Sequence, residues 1–232
     1  MTKQLYRVEL IPTAQKEVDT NKCNYGKGLD FEYYEHFFSV YDSIMDQVNI
    51  PVDFLVSVNN QIYASGGDFV EVLKNCLHND YVDIYQVTNI AEHRGYKMPI
   101  YLMNEFLQSF DEENQFIWFD NGTFLWEYFY EKVREEEFDH LPRRTNSTFF
   151  FETIENCNYF IKNQLGGIGL IHKVELVETT NLFQGDMSIM DAIQNSISRD
   201  ELIEVIRNYW KGEKTDNPIM ETVFQGKYQI TC

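Results

Sequence analysis

Between Leu141 and Phe160 the chain reads LPRRTNSTFFFETIENCNYF, and no other stretch restricts its fold and chemistry as much. Two adjacent arginines, Arg143 and Arg144, run into a Ser-Thr-aromatic strand that passes directly into a helix. Guanidinium groups in a tight loop beside small hydroxyls and an aromatic wall suit a ligand with a pyrophosphate and a flat ring. The fork grips phosphate oxygens bidentately, and the apolar wall covers the ring. The same residues also fit a plainer part, an exposed loop ahead of an edge strand.

The segments around this stretch alternate between strand and helix signals. Leu5 to Ile11 places Tyr6, Val8 and Leu10 on one face and Leu5, Arg7 and Glu9 on the other, as a half-buried strand does. Arg7 then points either into a cleft or into solvent. Phe31 to Val48 reads as a helix with Tyr34, Phe37, Phe38, Tyr41, Ile44, Met45 and Val48 as its buried stripe. Val52 to Val58 and Gln61 to Ala64 read as two short strands around an Asn59-Asn60 hairpin. Ser65-Gly66-Gly67 lacks the Lys and Ser/Thr of a phosphate loop, and Asp68 caps an expected helix running to Leu77.

Tyr81 to Ile90 is expected as strand, and Pro99 to Phe110 as helix, ended by the acidic turn Asp111 to Asn114. Asn121-Gly122 marks a turn before a helix from Thr123 to Phe138 that carries Phe124, Leu125, Tyr128, Phe129 and Val133 inward. A helix from Thr153 to Leu165 has Thr153 as cap and Gly166-Gly167 as stop, and a strand from Ile168 to Val177 follows. Asp186 is expected to cap a helix through Ile197, and Ser198 with Glu201 forms a capping box for another through Trp210. Pro218 to Ile230 reads as strand, Gln225-Gly226 turn, strand. Glu221 lies in it on one face with Ile219 and Val223. A carboxylate inside an apolar strand requires a buried partner or a catalytic cleft.

A formal charge of −18 opposes general binding to nucleic-acid backbones or anionic membranes, both of which need a positive surface. Four cysteines without CxxC spacing signal neither a zinc site nor a disulfide framework, and the histidines form no metal or triad pattern. No run approaches a membrane span, so a cytoplasmic protein is expected. The pattern favours one α+β domain over 1–232 in which roughly 31–120 is an insertion after the first strand.

Three segments in order, YRV at Tyr6 to Val8, NSTFFF at Asn146 to Phe151 and METVFQGKYQI at Met220 to Ile230, resemble the three-part signature of ADP-ribosyltransferase folds. EKVREEEFDHLPRRTNSTFFF, from Glu131, also resembles a poorly characterised bacterial and phage family related to those transferases. The resemblance implies a pair of short split sheets with a nicotinamide dinucleotide, NAD, in the cleft between them. It gives Arg7 and Arg144 the dinucleotide phosphates or adenosine ribose. Ser147, with Thr148 in support, would meet the nicotinamide ribose or orient the catalytic carboxylate, and Phe149 would wall the cleft. Glu221 would be that carboxylate.

The implied activity is transfer of ADP-ribose to an intracellular protein or small molecule, in a host cytoplasm if the chain is phage-encoded. Arginine-modifying relatives carry Glu or Gln two residues ahead of the catalytic Glu, where this chain has Ile219, so the resemblance does not extend to an arginine acceptor. Two other functions fit the residues. One is a non-catalytic acidic protein that occupies the basic or nucleic-acid-binding site of a partner, and the other is a nucleotide-binding module on the same fold.

Overall fold

The computed structural model of the protein describes residues 4–11, 17–28, 31–65, 68, 73, 80–110, 116, 123–191, 193 and 197–231. The expected features at Gly66-Gly67, Asp111 to Asn114 and Asn121-Gly122, and most of the helix expected after Asp68, lie outside them. In chain order the elements are β1 (Leu5–Glu9), β2 (Glu17–Asp19), α1 (Phe31–Met45), α2 (Phe54–Ser65), β3 (Tyr81–Asp83), α3 (Ile84–Thr88), β4 (Lys97–Pro99) and α4 (Ile100–Gln108). There follow α5 (Thr123–Glu137), β5 (Thr148–Phe151), α6 (Ile154–Gln164), β6 (Leu170–Asp186), α7 (Ser188–Asp191), α8 (Arg199–Trp210) and β7 (Met220–Thr231). This is a mixed α+β chain, and none of its described helices is long and apolar enough to cross a membrane.

The chain divides into two compact units, Met1–Leu29 with Glu127–Ala192 and Glu204–Cys232, and Asp30–Trp126 with Ile193–Ile203. The segment 31–120 falls in the second unit. Its core is aromatic: Phe37, Tyr41, Phe54 and Phe106 are fully buried, and the Tyr41 hydroxyl donates to the Val52 carbonyl at 2.9 Å. The hairpin expected around Asn59-Asn60 is instead the interior of α2. Alternation of Val52, Phe54, Val56 and Val58 imitates a strand, but Leu55, Val58, Asn59 and Ile62 are buried together at helical spacing. Likewise only Tyr81–Asp83 of the strand expected to Ile90 is strand, pairing with β4. Asp83 then caps α3 by accepting from the Gln86 amide at 3.3 Å, and Asn89, at φ 55°, ends it.

The first unit is built on a ring of strands. β7 pairs with β5, β5 with β1, β1 with β6, and β6 again with β7, all antiparallel, while β2 adds to the far half of β7. Antiparallel partners in register point their side chains to the same face, and neighbours along a strand to opposite faces. One face therefore carries Leu5, Phe150, Val174, Phe224 and Tyr228, which with Val18 form the ring's apolar core. The other carries Tyr6, Phe151, Glu221 and Gly185, which stand in one register row across β1, β5, β7 and β6.

No turn forms at Gln225-Gly226, because β7 continues through it as a bend. Gly226 sits at φ 140°, where a Cβ would lie 1.9 Å from the Glu178 carbonyl oxygen, opposite the irregularities of β6 between Leu176 and Glu178 and between Thr179 and Asn181. β6 is correspondingly longer than the strand expected to Val177. Asp186 closes it and caps the short α7, accepting from the Ser188 amide at 3.1 Å, while residues 192 and 194–196 of the helix expected to Ile197 lie outside the described residues. Its carboxylate also accepts from the Thr215 amide at 2.8 Å and the Ile219 amide at 2.8 Å, which ties the loop ahead of β7 in place. Burial pushes this carboxyl's pKa up, but the hydrogen bonds from Ser188, Thr215 and Ile219 outweigh it and hold it below the ordinary value.

Candidate functional site

Arg144 opens a single 3-10 turn, Arg144–Asn146, between α5 and β5. The Ser147 hydroxyl closes that turn by donating to the Arg143 carbonyl at 2.6 Å, and the Gln225 side chain donates to the same oxygen at 3.2 Å. Arg143 turns outward to Glu131, at 3.0 Å. Arg144 turns inward, onto the face of the ring that carries Glu221.

There the guanidinium is enclosed by acids and rings. Nε donates to both oxygens of Glu127, at 3.2 and 3.1 Å, and Nη2 to Glu127 Oε1 at 3.2 Å. Nη1 donates to Glu221 Oε1 at 2.7 Å and to the Tyr209 hydroxyl at 2.6 Å. Tyr209 in turn donates to Glu221 Oε1 at 2.7 Å. The Tyr130 and Phe149 ring centroids lie 4.3 and 4.7 Å from the guanidinium carbon, within cation–π range. Glu127, Arg144, Tyr209 and Glu221 are all buried.

Both hydrogen bonds to Glu221 converge on Oε1, and Oε2 takes none among the described residues. Space for Tyr209 beside β7 comes from Gly185, opposite Glu221 in register, where a Cβ would lie 2.3 Å from the tyrosine ring.

The electrostatics follow from this enclosure. Burial alone would lower the Arg144 pKa, but Glu127 and Glu221 outweigh it and hold the guanidinium charged, well above its ordinary value. Burial pushes the Glu127 carboxyl up, an effect that Arg144 opposes. Burial also raises the Tyr209 phenol well above its usual range, so it stays a donor. Two carboxyls thus share a single guanidinium.

Of the residues singled out in the sequence, Arg144, Phe149 and Glu221 meet here. Ser147 acts one step removed, through the turn that presents Arg144. Thr148 pairs with Phe224 and shares the alternate face with Phe150. Arg7 also lies on that core-side face: Nε pairs with Glu9 at 3.1 Å, its guanidinium carbon is 5.3 Å from the Tyr228 ring centroid, and it stands opposite His172. Its Nη1 is buried with no hydrogen-bond partner among the described residues, and burial lowers its pKa. Register thus separates Arg7 from Glu221 by the thickness of the sheet.

Glu127 and Tyr209 were missed. The signal for Glu127 was present, a lone carboxylate in the aromatic run FLWEYFY, the same kind of anomaly that singled out Glu221.

Four of the five N–H groups of Arg144 are engaged by Glu127, Glu221 and Tyr209, so the guanidinium is already committed to two carboxyls and a phenol.

A family model described as "Protein of unknown function (DUF2441)" matches residues 45–231. The chain belongs to that family, and the match includes all four residues of the buried cluster. No curated protein matches the chain.

Proposed function

We propose that the protein is an NAD-dependent ADP-ribosyltransferase with Glu221 as its catalytic carboxylate. The observation that carries the reading is the state of Glu221, held through Oε1 by Arg144 and Tyr209 while Oε2 accepts no hydrogen bond among the described residues. Further support comes from the sheet, in which β1, β5 and β7, the strands bearing the three resemblance segments, are neighbours.

In the reaction, the bond between ribose C1′ and the nicotinamide nitrogen breaks and its electron pair leaves with neutral nicotinamide. The positive charge that develops on the ribose is stabilised by the fixed Glu221 carboxylate, whose free oxygen accepts from the ribose 2′-hydroxyl. An acceptor nucleophile then bonds to C1′ and releases its proton to solvent. Arg144 and Tyr209 are positioning residues, since they hold the carboxylate and do not touch the substrate. Ser147 supports them by closing the turn.

The test is nicotinamide release from NAD by the full chain, with label transfer from adenylate-labelled NAD to a cell lysate to find the acceptor. Glu221→Gln keeps the shape and removes the charge, so it should abolish release and leave NAD binding largely intact. A protein with an intact cluster that releases no nicotinamide and transfers no label would falsify the proposal. Thermal stabilisation by NAD without release would make the protein a nucleotide-binding module instead.

A further inference from the structure

The cluster around Glu221 is closed by parts of unequal strength. β5, β7, α5 and α8 are regular elements with buried side chains, whereas the segment 20–28 is a short irregular strap ending in a single 3-10 turn, Tyr25–Gly28. Among the described residues it is held at both ends, and the Lys22 and Cys23 amides donate to the Asp19 carbonyl of β2. At one end Thr20 exchanges hydrogen bonds with Gly226, its amide donating to the Gly226 carbonyl at 3.0 Å and its hydroxyl accepting from the Gly226 amide at 2.9 Å. At the other, the Tyr25 amide donates to the Ser147 carbonyl at 2.9 Å, and Gly26 presses on Thr145 so closely that a Cβ would lie 2.3 Å from the Thr145 carbonyl oxygen. The strap therefore lies across the turn that presents Arg144.

Tyr25 reaches from the strap to the site. Its ring stands edge-on to Phe149, centroids 5.3 Å apart at 83°, and Phe149 is the ring beneath the Arg144 guanidinium. The Tyr25 hydroxyl makes no hydrogen bond among the described residues. Burial, with Glu127 and Glu221 adding to it and Arg144 opposing, raises its pKa, as expected of a phenol held over that cluster. Glu221 is only 5% exposed, so its carboxyl offers little surface in this arrangement. Beyond Thr20, which continues the pairing of β2 with β7, the strap can lift without breaking a strand ladder, and irregular segments open at less cost than regular ones.

We propose that residues 20–28 form a strap that opens and closes over Glu221, with Tyr25 as its seal. Gly26 is its seat: only a residue without a Cβ lets the strap lie against the backbone of Thr145. The identity of the molecule admitted rests on the transferase reading, but the gating does not.

Labelling of carboxyls in the full chain with a water-soluble carbodiimide and an amine, followed by mass spectrometry of the peptide containing Glu221, tests the gate directly. In the parent protein Glu221 should label slowly, and exposed Glu213 fast. Gly26→Ala, which must lift the strap, and Tyr25→Ala, which removes the seal, should each speed Glu221 labelling by roughly tenfold or more without changing Glu213. Tyr25→Phe keeps the ring and should label like the parent.

Cys157, buried on α6, must stay unreactive to a thiol reagent in each variant, as a check that the ring is intact. If Gly26→Ala fails that check, Tyr25→Ala and Tyr25→Phe decide the matter. Equal Glu221 labelling in the parent and in the intact variants overturns the strap. Absence of nicotinamide release from every form sinks the transferase reading and leaves the labelling result standing.

Discussion

Replacing Arg144 by Met tests the buried cluster at its centre. The change keeps much of the apolar stem and removes the one cation that, among the described residues, lies within hydrogen-bonding reach of Glu127 and Glu221. Two buried carboxyls are then left to each other. Removing one partner of a buried pair costs about 3–5 kcal/mol, because the remaining charge is uncompensated.

The loss must depend on pH. Glu127 has its carboxyl pKa raised by burial even with Arg144 present, and without the guanidinium it rises further. A carboxyl raised above its unfolded value favours the folded state below that value, about 4.3, and the benefit is lost as pH rises through the folded pKa. Arg144→Met should therefore cost least near pH 4 and its full amount at pH 8. Urea unfolding of the parent and the variant at both pH values, followed by circular dichroism, measures the difference. Adding Glu127→Gln and Glu221→Gln should return most of the loss, since neutral side chains leave no buried charge unpaired. A deficit below about 1 kcal/mol, or one independent of pH, would refute the assignment of Arg144 as the cluster's counter-ion.

Gly185→Ala should destabilise by about 1–3 kcal/mol, because the new methyl collides with the Tyr209 ring. It should also lower nicotinamide release by displacing the phenol from Glu221, and unchanged values of both would place Tyr209 outside the support of the site. Asp186→Asn should cost roughly 1.5–3 kcal/mol near neutral pH through the loss of charge-assisted hydrogen bonds to Thr215 and Ile219. The native carboxyl has a depressed pKa, so its contribution is present above the unfolded value of about 3.9 and fades as pH falls through the folded one. Melting temperatures of the two proteins should accordingly converge in acid, and parallel curves would contradict the role.

What could be read from residues alone was local and helical, or carried by a single anomaly. The Ser198–Glu201 capping box is formed, with Glu201 accepting from the Ser198 amide at 3.0 Å, and Thr153 caps α6 by accepting from the Asn156 amide at 3.1 Å. Such motifs need only neighbours in sequence, so their geometry is complete within one turn of helix. Glu221 stood out because a carboxylate inside an apolar strand demands a partner.

That partner, Arg144, lies 77 positions away, and the pairing depends on the register of β5 against β7. Register is likewise what removes Arg7 from the cluster: shifting a strand by one residue exchanges its faces, and nothing local to YRV says which face meets Glu221. α2 was misread because its residues satisfy two periods at once, and the packing of Leu55, Val58 and Ile62 into an aromatic core decided between them. The Gln225-Gly226 turn was misread because glycine permits a sharp bend within a strand as well as a reversal, and the length of β6 alongside it settles which.

The circuit of β1, β5, β7 and β6 also bears on how the protein behaves among other chains. Among the described strands β7 is flanked on both sides, by β6 on one and by β5 and β2 on the other, whereas β6 meets β1 only over Leu170–Val174 and from Glu175 onward is bordered by β7 alone. The opposite margin of the sheet is β2, only three residues long and carrying Glu17 and Asp19. A short strand bearing two negative charges is a poor template for pairing with another chain, least of all with a second copy of an acidic protein. Edge-to-edge pairing by the first unit is thus left to the far half of β6, where Glu175, Glu178 and the two irregularities opposite β7 work against a foreign strand.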